Sequence, residues 1–228
     1  MKKVLSVFLL MFYFTYSKPL ENNSNFKYNT NILIIGIPLF LVSLSIDNEV
    51  KNIIQNNKNS ILNTTTNIFD FFGSKFTYFI PVSVAFLAKH NKNAKLFEAS
   101  KTAISSSILS TLTVAMLKIS INRERPDKSD KNSFPSNHTA LAFAVFGSYA
   151  HYYTNTKIKY ILYTVPTLTA FSRIYKNKHY LSDTIAGAII GLSSVYFGKY
   201  FSKKYLSRFE LETNINKNYF SFNLKYNF

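Results

Sequence analysis

His179 and Asp183 are four residues apart, a spacing that puts both side chains on one face of a helix. A carboxylate beside an imidazole fixes its tautomer and leaves the second ring nitrogen free to attack an electrophile or to bind a metal. Asp183 is the only acidic residue between positions 131 and 209, so it is not one member of a field of solvated charges. A second histidine closes the run Pro135–Ser136–Asn137–His138, directly ahead of the apolar stretch Ala140 to Val145. That order reads as the start of a helix, whose free N–H groups and dipole favour an anion. Ser136 adds a hydroxyl donor or serves as the N-cap.

Cations flank both histidines. Lys118 and Arg125 are seven residues apart, two helical turns, so the spacing expects both on one side of a helix that Pro126 then ends. Arg173 precedes His179 by six positions. The chain carries 27 basic residues, of which only Arg123, Arg125, Arg173 and Arg208 are arginine. A chain that defaults to lysine places arginine where a planar fork of donors is needed. Lys118, Arg125, Arg173 and an amide-rich helix start make an anion pocket holding two histidines. Such a pocket suits phosphoryl transfer, where catalysis is mostly positioning and charge neutralisation.

Lys118-x6-Arg125-Pro126, Pro135-Ser136-x-His138 and Ser172-Arg173-x5-His179-x3-Asp183 together resemble the signature of the type 2 phosphatidic acid phosphatase and vanadium haloperoxidase superfamily. All ten fixed positions match in order, over residues 118–183 directly and over 31–200 with the helical segments around them. Asn137 stands where the family usually has glycine. Asparagine tolerates unusual backbone angles, so its amide is expected to face the phosphate still.

The resemblance implies roles. His179 attacks phosphorus in line and Asp183 orients it; His138 protonates the leaving oxygen and then helps to activate water. Lys118, Arg125, Arg173, Ser136 and the Asn137 amide neutralise the phosphoryl oxygens, so neither a metal nor another cofactor is required. The expected activity is that of a metal-independent phosphatase acting on phosphomonoesters or pyrophosphates through a phosphohistidine. Other readings are a soluble periplasmic acid phosphatase, a vanadate-dependent haloperoxidase, and a non-catalytic phosphate-binding membrane protein. Arg123, Glu124, Asp127, Lys128 and Lys131 read as solvated neighbours of the motifs. Tyr175, Lys176 and Lys178 line the approach to His179, and His90 and His151 belong to no cluster.

Six apolar segments must position these residues: about 32–46, 76–88, 102–117, 139–153, 158–171 and 184–198. None contains an acidic residue and none alternates with a period of two, so all read as helices. Their lengths suit buried helices or short spans better than full ones. Gly187, Gly191, Ala186 and Ala188 form a small-residue face for close helix approach. The expected architecture is all-α, a bundle of about six core helices over 31–200 with a small C-terminal β-hairpin in 205–228. Residues 1–17 read as a signal peptide or N-terminal anchor, with Lys2 and Lys3 ahead of an apolar run.

The chain has no cysteine and a formal charge of +16. A thiolate nucleophile and a thiolate metal site are thereby excluded. Basic residues are scattered and no recognition module is visible, which argues against nucleic-acid binding. The expected partners are a membrane and a lipid phosphate: phosphatidic acid, phosphatidylglycerol phosphate, undecaprenyl pyrophosphate or a lipid A phosphate. The expected location is the bacterial cell envelope, with the pocket open to the periplasm.

Overall fold

A computed structural model describes residues 31–206 and, beyond them, the backbone of 209–216 and 219–226. The expected signal or anchor at 1–17 lies outside the described residues. Seven α-helices follow in order: α1 (Asn31–Asn56), α2 (Ser60–Phe71), α3 (Phe79–His90), α4 (Ala94–Ile121), α5 (Asn137–Tyr152), α6 (Thr156–Tyr175) and α7 (Leu181–Lys204). A short 3-10 turn, Lys75–Tyr78, leads into α3. The backbone is extended over Phe209–Asn216 and Tyr219–Tyr226.

Seven helices stand among the described residues where about six were expected. The extra helix, α2, splits its apolar residues into Ile61–Leu62 and Ile68–Phe69 around a run of Asn and Thr, residues of modest helix propensity, so it shows no continuous apolar run. Asn59 starts it by accepting the N–H of Leu62 at 2.8 Å. Helices also run past their apolar stretches: α1 continues from Ile46 to Asn56 and α4 begins at Ala94.

Among the described residues three helices, α1 from Ile32, α4 and α7, are long and apolar enough to cross a membrane; the bent pair formed by α2 and α3 would make a fourth span. On α4 the exposed side chains Ile108, Leu112, Met116 and Ile119 recur every three to four residues, an apolar stripe facing away from the bundle. The protein is membrane-associated.

α5 and α7 form the centre, with α4, α6 and α1 packed around them. Phe143, Leu141, Ile174, Leu181 and Ile185 are fully buried there. Close approach is built from small residues. A Cβ added at Gly187 would stand 2.6 Å from the Ser136 carbonyl oxygen, and one at Gly191 would meet the Phe143 Cβ at 2.7 Å. Both glycines therefore hold α7 against the start of α5. Along α4 the buried serines Ser106 and Ser107 return their hydroxyls to the carbonyls of Thr102 and Ala103 at 2.7 and 2.6 Å, which satisfies them inside the bundle.

Candidate active site

The three motifs meet at one end of the bundle, where α4 and α6 finish and α5 and α7 begin. α4 ends earlier than expected. Asn122 takes the left-handed conformation, φ 49°, and returns its N–H to Lys118. Asparagine is among the few residues that cap a helix this way at low cost. Arg125 therefore lies in the following loop rather than on the helix with Lys118, and Pro126 is not the stop. The loop folds back on itself: Arg125 donates its backbone N–H to Asp130 at 3.0 Å, and Ser133 donates to the Arg123 carbonyl at 2.9 Å.

Ser136 is the N-cap of α5, its oxygen accepting from the Thr139 N–H at 3.4 Å and the Thr139 hydroxyl at 3.0 Å. Its own proton is left to donate elsewhere. The Ser136 N–H meets the Asp183 carbonyl at 3.0 Å, which ties the second motif to the third. Asn137 begins the helix and is not among the residues with positive φ. The expected tolerance of unusual angles is not used here: helical geometry already aims the amide outward along the helix axis.

His179 follows a turn in which Lys178 and His179 both donate backbone N–H groups to the Arg173 carbonyl, at 3.0 and 3.3 Å. The Asn177 φ of 59° makes that turn. The imidazole is 3% exposed. Its Nδ1 lies 2.6 Å from the Ser133 carbonyl oxygen and 3.7 Å from the Asp183 Oδ2. A carbonyl only accepts, so Nδ1 carries the proton and Nε2 presents a lone pair. The closer orienting acceptor is thus a backbone carbonyl, and Asp183 stands behind it.

Asp183 is fully buried and occupied on both oxygens. Oδ2 accepts from the Ser133 hydroxyl at 2.5 Å and the Tyr180 N–H at 2.8 Å; Oδ1 accepts from Arg123 Nη1 at 2.7 Å. Arg123 was expected to be a solvated neighbour. Instead its second nitrogen reaches Asp47 of α1 at 2.8 Å, because the tight turn at Asn122 swings it inward.

The three cations proposed to bind phosphate all have partners. Lys118 Nζ donates to the Asn132 carbonyl, and Arg125 Nε pairs with Asp130 at 2.8 Å. Arg173 pairs with Asp70 of α2, whose other oxygen takes Lys176 at 2.8 Å. Lys178 meets Asp127 at 2.6 Å; against the upward push of burial, hydrogen bonds from Lys178 and Ser129 hold Asp127 at about 2. Asp47, Asp70 and Ser133 were not picked out from the sequence. One signal was available: Asp47 falls on the buried stripe of α1 that runs through Leu39, Ser43, Val50 and Ile54, where an acid needs a partner.

Burial and nearby positive charge act on both histidines. Burial, with the charges of Arg173 and Lys118, pushes His179 down to about 4 against the upward pull of Asp183. Burial and Arg173 also push His138 down, opposed by Asp70. Gly73, after α2, lets the chain pass against His138: a Cβ there would stand 2.6 Å from the His138 Cβ. His151 lies at the far end of the bundle, where its Nε2 meets Lys199 at 2.8 Å. Among the described residues no cluster of three or more His, Asp or Glu side chains is set to hold a metal ion.

A lipid A 1-phosphatase of Porphyromonas gingivalis is 40% identical over 82 residues, 33% of this chain, and the chain spans only 17% of that relative's length. The crystal structure of Aquifex aeolicus LpxE superposes with a TM-score of 0.57 at 26% identity, covering 70% of this chain and 96% of that one. A transmembrane PAP2 type phosphatidylglycerolphosphate phosphatase from Bacillus subtilis shares the fold, with a TM-score of 0.61 at 20% identity over 90% and 98% of the two chains. The PAP2 superfamily model matches residues 101–206, a stretch that holds all three motifs. Within that segment the chain is similar to the PAP2 superfamily.

Proposed function

We propose that this protein is a phosphatase of membrane lipids that works through a phosphohistidine on His179 without a metal. The observation that carries the reading is the buried His179, its Nδ1 held by the Ser133 carbonyl so that Nε2 keeps its lone pair, with the charges of Arg173 and Lys118 acting on the ring. A neutral imidazole attacks phosphorus, and the three cations Lys118, Arg125 and Arg173 take up the charge that spreads over the phosphoryl oxygens in the transition state. Ser136 and the first amides of α5 complete that cradle.

His138 is the proton carrier. In the resting site it is held neutral; an incoming phosphoryl dianion offsets Arg173 and raises its basicity, so that it picks up a proton to give to the leaving oxygen. The same imidazole then accepts a proton from the water that cleaves the phosphohistidine.

A lipid substrate is supported by the apolar outer faces of α1 and α4 and by the lipid A 1-phosphatase relative. Hydrolysis of a lipid A phosphate, phosphatidic acid, phosphatidylglycerol phosphate or a prenyl pyrophosphate fits one site. Facing the periplasm is the orientation we favour. The opposite end carries Lys89, Lys92, Lys95, Lys157, Lys159 and Lys204 with Glu98 as its acid, whereas the site end holds Asp47, Asp70, Asp127, Asp130 and Asp183. The lysines of the first end support a cytoplasmic placement, since Lys118, Arg123, Arg125, Arg173, Lys176 and Lys178 at the site end are engaged within the site itself. α1 then enters from the cytoplasmic side, an orientation that argues for an uncleaved N-terminal segment at 1–17. The C-terminal hairpin we read as a peripheral flap, supported by the antiparallel register that sets Phe209 opposite Tyr226.

The test is phosphate release from a panel of lipid and water-soluble phosphates, in EDTA, with His179→Ala as the blank. Release from lipid phosphates in EDTA, absent in the blank, supports the reading. A strict need for a divalent cation overturns it.

A further inference from the structure

Asp47 is a carboxylate, 3% exposed, two-thirds of the way along an apolar helix that is long enough to cross a membrane. An isolated charge there is costly, and such residues persist where they are partnered and in use. Both of its oxygens are engaged at the start of α7. Oδ1 accepts the Ser182 N–H at 2.9 Å; Oδ2 accepts the Ser182 hydroxyl at 2.5 Å and Arg123 Nη2 at 2.8 Å. It therefore caps α7 from another helix, beside the residue that holds Asp183.

Arg123 completes the link. Nη1 reaches Asp183 Oδ1 and the Ser182 hydroxyl at 2.7 and 2.8 Å while Nη2 holds Asp47. The guanidinium lies 4.2 Å above the Tyr180 ring, which fixes its plane. One planar fork thus spans two carboxylates, a task a lysine's single ammonium does not perform. With Oδ2 taken by Ser133 and Tyr180, Asp183 acts on His179 chiefly as a charge at 3.7 Å. The size of that charge's effect depends on what neutralises it.

We propose that Asp47 and Arg123 are positioning residues of the reaction: together they tie α1 to Asp183 and set the electrostatic balance around His179. The inference rests on His179 being the nucleophile, and it extends the site to α1, outside the matched residues 101–206.

The groups that face this balance come from every neighbouring element: Asp47 from α1, Lys118 from α4, Arg123 from the loop, His138 from α5, Arg173 from α6 and Asp183 on α7. Arg125 and Asp70 act on it through His138. Loss of the Arg123 cation raises the basicity of His179, so the imidazole is protonated, and silent as a nucleophile, at higher pH. Loss of the Asp47 anion does the reverse.

The experiment measures kcat, KM and the pH profile of kcat/KM for phosphate release by wild type, Arg123→Gln, Asp47→Asn, the double variant and Arg123→Lys, with His179→Ala as blank. Arg123→Gln should move the acid limb up by about half a pH unit or more and Asp47→Asn should move it down by a similar amount; the double variant should return close to wild type. In each single variant kcat should fall about tenfold with KM nearly unchanged, since neither residue touches substrate. Arg123→Lys, which keeps the charge but not the fork, should keep the acid limb and lose kcat. Limbs that stay put, or move the same way in both single variants, overturn the proposal, as does Arg123→Lys with wild-type kcat. If Arg123→Gln does not fold, the Asp47→Asn and Arg123→Lys profiles decide alone. Wild type no more active than the blank would instead sink the phosphatase reading itself.

Discussion

The imidazole of His179 donates through Nδ1 to the backbone carbonyl of Ser133, 2.6 Å away, while the Asp183 carboxylate stands at 3.7 Å. Tautomer and charge are thus supplied by different groups. A carbonyl fixes which nitrogen is free, and in the proposed attack a buried carboxylate stabilises the positive ring that forms.

From this division, Asp183→Asn should leave the attacking tautomer in place. We expect kcat to fall about 10- to 100-fold yet stay above the blank, whereas His179→Gln should fall to the blank. Removing the carboxylate's charge also leaves Arg123 ion-paired with Asp47 alone and should cost about 3 kcal/mol of stability. Phosphate release and thermal unfolding in detergent check both parts.

Acid should destabilise the fold through His179. Its basicity is lowered on folding, to about 4 from the ordinary 6.5, so the unfolded chain binds the extra proton between those values. The stability held by the neutral ring is fully present above pH 6.5 and is lost as pH falls toward 4, by about 3 kcal/mol at most. The unfolding midpoint of wild type should drop across that window, and His179→Gln should flatten the drop.

Asp70 occupies Arg173 and Lys176 in the resting site. Asp70→Asn should free both cations for an anion. Orthophosphate and vanadate should then inhibit about three- to tenfold more tightly, while kcat falls because Arg173 loses the partner that aims it. Inhibition constants and turnover, measured together, separate the two effects.

Orientation can be read directly because the chain has no cysteine of its own. Lys128→Cys, in the loop at the site end, should react with a membrane-impermeant maleimide in intact cells. Lys92→Cys, in the turn between α3 and α4 at the other end, should react only after lysis. The reverse labelling would put the site on the cytoplasmic face.

The motif residues, the helix start at Ser136 and the close approach at Gly187 were legible because each depends on local spacing or on residue size. The remainder of the site was not, since it is made by tertiary contacts between segments that share no sequence pattern. Ser133 contributes a carbonyl that any residue type would supply, and Asp70 sits near the end of a helix whose apolar residues are split by the polar run Asn63 to Asn67. Arg123 was hidden by the assumption that α4 runs on to Pro126; a left-handed cap at Asn122 redirects it. Asp47 lies one residue beyond the apolar run that marked α1, and the buried stripe simply continues through it. The helices themselves were visible as apolar runs, but their polar ends, which reach the site, were not.

The central claim is that phosphorus is attacked by Nε2 of His179. Brief reaction with a lipid substrate labelled in the phosphate, followed by denaturation in alkali, tests it most directly. Wild type should retain label that survives alkali and is released by acid, as a phosphoramidate is, and His179→Gln should retain none. Label held equally by the His179→Gln protein, or mapped to another residue, would contradict the account.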